Sequence, residues 1–295
     1  MRSTVEAPSR SRPTRKARCI RPRSSAWRFR CRPVSPRVCP GTEVAAPVAV
    51  ELSAGVLTVT LDRADKRNAL NSAVVEGLHE VLERADLDAD VRVVLLRGAG
   101  KDFCAGADLE ELLASADRSP GDNEASAARL GAVFTRLRRM PKPVVGIVHG
   151  RALAGGAGLA TACDIVVAGA SAQLGYPEIQ RGFVPAMVMT LLRRLTGEKA
   201  ALDLVLTGRL VGAEEARTLG LVSRVVPDAQ LEEEGQKIAA ALATASPSAV
   251  AFTKRLFFQL DGKEFEEGIA LGARVNATAR QTPDFREAIA RFLRQ

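Results

Sequence analysis

The chain lacks most of the features that would assign it quickly. No apolar run approaches the length of a membrane span, so a transmembrane helix is not expected. Five cysteines and two histidines are present, but no CxxC and no Cys/His ligand spacing, so a metal site is not expected. No dinucleotide or P-loop fingerprint occurs, which disfavours phosphate cradling. There is no internal repeat. The one Trp, Trp27, lies outside the part that reads as globular, and Tyr176 is the one tyrosine.

The net charge of +8 is unevenly spread. Residues 1–47 carry twelve Lys and Arg against Glu6 and Glu43, which makes them +10 and leaves −2 for the rest. A basic nucleic-acid face on the body is therefore not indicated. The segment 1–47 is rich in Arg, Pro and Ser and has little apolar periodicity, so disorder is expected there. Three readings of it stay open: a targeting peptide, an arm that binds nucleic acid or anionic lipid, and an artefact of an upstream start codon. Its prolines argue against an amphipathic helix. Cys104 and Cys163, the two cysteines of the body, read as small buried hydrophobes in a reducing compartment. The expected location is the cytoplasm, or an organelle if the tail is a transit peptide.

The body begins near Val48. Val48–Leu52 and Val56–Leu61 alternate around Ser53-Ala54-Gly55 and read as a hairpin. Val91–Leu96 and Pro143–Val148 read as strands buried on both faces, and Asp164–Ala168 as a further strand. Helices are expected at 72–85, 109–114, 125–139 and 156–163, with a mobile loop over Ser119–Asn123. From Ala186 onward the pattern is mostly helical, interrupted by a strand at Leu221–Val226. Strands alternating with helices give an α/β body built on crossovers.

Two small-residue loops follow buried strands and open helices. In Cys104-Ala105-Gly106-Ala107-Asp108, the small residues admit a ligand close to the backbone, and Asp108 fits a helix N-cap. Ala154-Gly155-Gly156-Ala157-Gly158 follows its strand in the same way, with N–H groups at a helix start. Each alone is explained by a tight strand–helix turn or close packing. Together they could aim two N–H donors at one oxygen, an oxyanion hole. Glu178, in Tyr176-Pro177-Glu178-Ile179, supplies a carboxylate base. A lone glutamate is ordinarily a surface or N-cap acid, and the two loops are what turn the reading towards catalysis.

At these residues the chain resembles the crotonase superfamily, the enoyl-CoA hydratases and isomerases. The resemblance covers roughly 48–295. It rests on Arg67-Asn68-Ala69-Leu70-Asn71, Phe103–Leu109, His149–Gly156 and Cys163-Asp164-Ile165, with Pro177-Glu178 and Leu206-Thr207-Gly208 following. It implies an α/β fold, a spiral of ββα turns over 48–225 with a helical region over 226–295, assembled as homotrimers or pairs of trimers. It implies that the Ala107 and Gly155 N–H groups hold a thioester oxygen, and that Ala105, Asp108 and Leu109 line the acyl-CoA path beside Gly156. Arg67 would lie near the nucleotide end. In the hydratases two glutamates hold the attacking water. Glu178 falls at the second of those positions, and Gly158 stands at the first.

One carboxylate can remove a proton from one carbon and return it to another, whereas hydration ordinarily divides two roles between two carboxylates. Double-bond isomerisation of an enoyl-CoA is therefore the favoured reaction, with hydration of a 2-enoyl-CoA next and thioester hydrolysis or decarboxylation behind. No metal or redox cofactor is expected, CoA arriving as part of the substrate. Tyr176 could orient substrate. Glu110 or Glu111 could supply the missing acid, and Lys254-Arg255 could meet CoA phosphates. His79 is expected on a solvated helix face, and His149 in a packing or hydrogen-bonding role. A different class of function is a non-catalytic acyl-CoA or RNA-binding protein, with the tail as an electrostatic arm; binding would then fall steeply with salt.

Overall fold

The computed structural model describes residues 47–294, and the expectations for residues 1–46 lie outside it. Along the chain run β1 (Val48–Ser53), β2 (Val56–Leu61), α1 (Ser72–Leu87), β3 (Val93–Gly98), α2 (Leu109–Ala114), α3 (Pro120–Arg139), β4 (Val144–Val148) and β5 (Arg151–Leu153). They are followed by α4 (Gly155–Ala162), β6 (Ile165–Gly169), β7 (Gln173–Gly175), α5 (Ala186–Thr196), α6 (Glu198–Thr207), β8 (Leu210–Gly212), α7 (Ala213–Thr218) and β9 (Arg224–Val226). Four helices close the chain: α8 (Leu231–Ala243), α9 (Pro247–Gln259), α10 (Phe265–Ala279) and α11 (Pro283–Phe292).

The main sheet has the order β1-β2-β3-β4-β6-β9. Only the β1–β2 hairpin is antiparallel; every later pairing is parallel and needs a crossover. The central strands are apolar because both faces are covered. On β3, Val93 and Leu95 join the cluster under Leu231, Ile238 and Ala239 of α8. Val94 and Leu96 turn to the other face, towards Phe103, Leu137, Met140 and Leu159. Alternate residues of one strand thus build two cores.

A second sheet, β5-β7-β8, consists of three-residue strands that the sequence does not announce. The expected loop at Ser119–Asn123 is instead the start of α3. Ser119 caps it by accepting from the Asp122 N–H at 3.1 Å, and Pro120 sits at the first helical position, where its missing N–H costs nothing. The strand expected at Leu221–Val226 is confined to β9. The helical region after residue 225 is present. α8 packs on the main sheet, whereas α10 and α11 bury no residue. Among the described residues, no helix is long and apolar enough to cross a membrane.

Candidate active site

The loop after β3 is fixed by backbone and by one buried amide. The N–H groups of Phe103 and Cys104 donate to His149 O and Arg151 O, both at 3.0 Å. Asn68, fully buried, donates from Nδ2 to Ala99 O, Asp102 O and Phe103 O at 2.8, 2.8 and 3.2 Å. At Gly106 φ is +92°, and an added Cβ would stand 2.8 Å from Leu153 O, so only glycine fits this bend. The two loops therefore touch.

The second loop turns at Ala154, whose φ of 52° is unusual for a residue with a Cβ. Its N–H donates to Gly175 O at 2.8 Å, tying the start of α4 to β7. Gly155 is the first residue of α4, so its N–H has no partner within the helix. Among the described residues, neither the Ala107 nor the Gly155 N–H has an acceptor. Both residues line one cavity of about 380 Å³.

Glu178 lines the same cavity. It sits in a 3₁₀ turn, Pro177–Arg181, directly after β7. The side chain is buried, and Oε2 has no hydrogen-bond partner. Burial pushes its pKa up from the ordinary carboxylate range, with its own N–H and the Arg181 cation pulling the other way. The arrangement is a carboxylate of increased basicity lining the same largely apolar cavity as two residues with free N–H donors. A base must be ionised to act, so the acid limb of the pH–rate profile is expected above the value of ordinary glutamate, about 4.3. Kinetics in buffers spanning that region would show it, and a limb at or below that value would contradict the burial argument.

Comparison with known proteins shows the family. The sequence profile of the enoyl-CoA hydratase/isomerase family matches residues 51–295. A Thermus thermophilus protein provisionally named enoyl-CoA hydratase is 43% identical over 237 residues, 80% of this chain and 94% of that protein. The chain belongs to the enoyl-CoA hydratase/isomerase family. Among solved structures, an enoyl-CoA hydratase of Mycobacterium smegmatis has a TM-score of 0.81 at 33% identity, covering 84% of this chain and 96% of that one. One from Bacillus anthracis gives 0.79 at 32%, covering 84% and 96%. The crotonase-type α/β fold expected from the sequence is the fold observed.

Within this family frame, the expected residues divide. Ala105, Ala107, Leu109, Gly155 and Glu178 meet at the cavity. Asp108 does not line it. One oxygen caps α2, accepting from the Glu110 and Glu111 N–H groups at 3.1 and 3.4 Å, and the other takes Arg63 at 3.0 Å. Burial opposes its charge, but Arg63 and the backbone donors hold its pKa below the usual range. Arg63, 45 residues away, carries no sequence signal for this role. Gly156 is a packing residue: a Cβ there would stand 2.3 Å from Cys104 O. Arg67 is exposed, its Nε 3.8 Å from Asp102, and lies outside the cavity. Tyr176 is fully buried and also outside the cavity, so it does not orient substrate there. Its hydroxyl makes no well-directed hydrogen bond and is kept neutral by burial, beside Thr161 and Glu178.

The candidates for a second acid are turned away. Glu110 pairs with Lys66 at 2.9 Å, and Glu111 accepts from the Ser72 N–H at 2.8 Å. At Gly158 an added Cβ would meet Val188 Cγ1 at 2.5 Å and Phe134 Cζ at 2.8 Å. The space for a side chain is filled by apolar packing. Lys254 does not face a CoA phosphate either; it is buried against Asp164. His149 bonds Gly100 O at 3.0 Å, as expected for a structural role. His79 is half-buried against α3, bonded to Arg129 O at 2.8 Å, rather than on a solvated face. Burial pushes the Cys104 thiol up to about 12 and raises that of Cys163 as well, so both are packing groups. A larger cleft of about 830 Å³ between α1, α3, α5 and α9 contains neither donor loop nor Glu178.

Proposed function

We propose that the protein is an acyl-CoA enzyme in which Glu178 moves protons on an enoyl-CoA whose thioester oxygen is held by the Ala107 and Gly155 N–H groups. The observation that carries this reading is one buried, partnerless carboxylate sharing an apolar cavity with two free backbone donors. Each donor aimed at a developing oxyanion is typically worth about 2.7–4 kcal/mol in the transition state. No metal or redox group enters the scheme, and CoA is part of the substrate.

For the reaction, hydration of a 2-enoyl-CoA is the first reading, since the similar proteins named above carry the name hydratase. Glu178 would take a proton from water as its oxygen attacks the β-carbon, and that proton would pass to the α-carbon through the carboxylate. The sequence alone favours isomerisation, and one structural observation supports it as the second reading. The position of the other hydratase glutamate is Gly158, closed by Val188 and Phe134. Glu178 would then remove a proton from one carbon of a 3-enoyl-CoA and return it two carbons away.

Products from matched 2-enoyl-CoA and 3-enoyl-CoA, resolved by chromatography with mass detection, separate the two. Hydration raises the product mass by one water; isomerisation leaves the mass unchanged. Turnover of neither would remove the proton-transfer reading and leave hydrolysis, decarboxylation or binding without catalysis. We further infer assembly as homotrimers or pairs of trimers. Phe265, Ile269 and Phe292 of the unburied helices α10 and α11 are exposed, which suits coverage by a second copy. Light scattering giving a monomer would contradict that.

A further inference from the structure

Glu178 and Arg181 are the two residues lining the cavity whose side chains are polar; the remainder of the wall is apolar or glycine. They are three apart in one 3₁₀ turn, where residues i and i+3 lie on the same side. Arg181 is exposed at the cavity's edge, and its NH1 donates back to Pro177 O of the same turn at 3.2 Å. Among the described residues, no carboxylate forms an ion pair with it, whereas Arg63, Arg97 and Arg209 each have one. The flanking Gly182 leaves open space, with nothing within 4 Å of where its Cβ would be.

A fork of N–H donors without an acid of its own, at the edge of an apolar cavity, fits a planar anion presented by the ligand. We propose that Arg181 recognises a free carboxylate on the acyl group, so that the protein prefers CoA thioesters of dicarboxylic acids over uncharged ones of equal length. Three residues of a 3₁₀ helix span about 6 Å. The acid would therefore sit several bonds beyond the carbon on which Glu178 acts, as in a thioester of a five- or six-carbon diacid. Arg181 already pulls the Glu178 pKa down. A substrate carboxylate paired with Arg181 would relax that pull and leave Glu178 the stronger base. The inference rests on the acyl-CoA reading above, and the rival ligand for the same fork is a phosphate of CoA itself.

Calorimetric titration of the full chain with glutaryl-CoA and pentanoyl-CoA distinguishes these without turnover. Both have five acyl carbons and share all of CoA. Glutaryl-CoA is expected to bind about tenfold to a hundredfold more tightly. Arg181→Leu is expected to remove that ratio, and Arg181→Lys to restore part of it. Equal affinities for the natural chain would overturn the proposal. So would an equal loss for both ligands in Arg181→Leu, which would place Arg181 on a CoA phosphate. Failure of the catalytic reading shows separately, as absent enoyl-CoA turnover in the product assay.

Discussion

Glu178→Gln is expected to lower turnover of the enoyl-CoA substrate by about 10²–10⁴-fold, with acyl-CoA affinity largely kept. The amide has nearly the same shape and cannot accept the proton. The donors at Ala107 and Gly155 belong to the backbone of other elements and are untouched. Stability moves the opposite way. Burial raises the Glu178 pKa in the folded chain, so its ionised form destabilises the fold. That penalty is fully present above the folded pKa and vanishes below the unfolded one. At neutral pH the variant is therefore expected to unfold at an equal or higher denaturant concentration. Turnover surviving the change would remove Glu178 from its role. Lost turnover together with a lowered unfolding midpoint would mean that the residue supports structure instead.

The largest effect on stability is expected at Lys254. Its Nζ lies 2.6 Å from Asp164 Oδ2 and donates to Leu137 O and Lys142 O at 2.8 and 2.9 Å. Asp164 in turn accepts from the Val144 N–H at 2.8 Å, so the pair ties α9 to the start of β4. Burial works against both charges, raising the Asp164 pKa and lowering that of Lys254, and each offsets the other's penalty. Lys254→Met leaves the partly exposed Asp164 carboxylate and two carbonyls without their buried cation and is expected to cost about 1–3 kcal/mol. Lys254→Met combined with Asp164→Leu removes both charges and is expected to cost less than the single change. Urea unfolding of the three chains reads this directly. A cost near zero for the single variant would show the pair to be solvated.

These residues also show where the sequence is legible. The buried strands β3 and β4 read as apolar runs because covering a sheet on both faces demands them. The expected and observed limits of α2 coincide at Leu109–Ala114, because Asp108 is a cap whose preference is local. The donor loops and Glu178 are legible by residue type and order. What is not legible depends on partners far apart in the chain. Nothing local ties Asp108 to Arg63 or Asp164 to Lys254, because each pair is 45 or more residues apart in the chain. Gly158 reads as a missing acid, but only the fold shows Phe134 and Val188 closing the space. The short strands β5, β7 and β8 are set by pairing with each other rather than by their own composition. Ser119–Asn123 misleads because Ser, Pro, Gly, Asp and Asn serve both turns and helix starts.

If Glu178 exchanges protons at the carbon beside a thioester whose oxygen the Ala107 and Gly155 N–H groups hold, solvent deuterium should enter at that carbon. A saturated acyl-CoA incubated with the protein in D₂O tests it without a choice between hydration and isomerisation. The natural chain is expected to introduce deuterium next to the thioester, seen as a mass increase in the recovered acyl group, and Glu178→Gln to introduce none. Exchange that continues unchanged in Glu178→Gln, or a natural chain that binds the thioester and exchanges nothing, would contradict it.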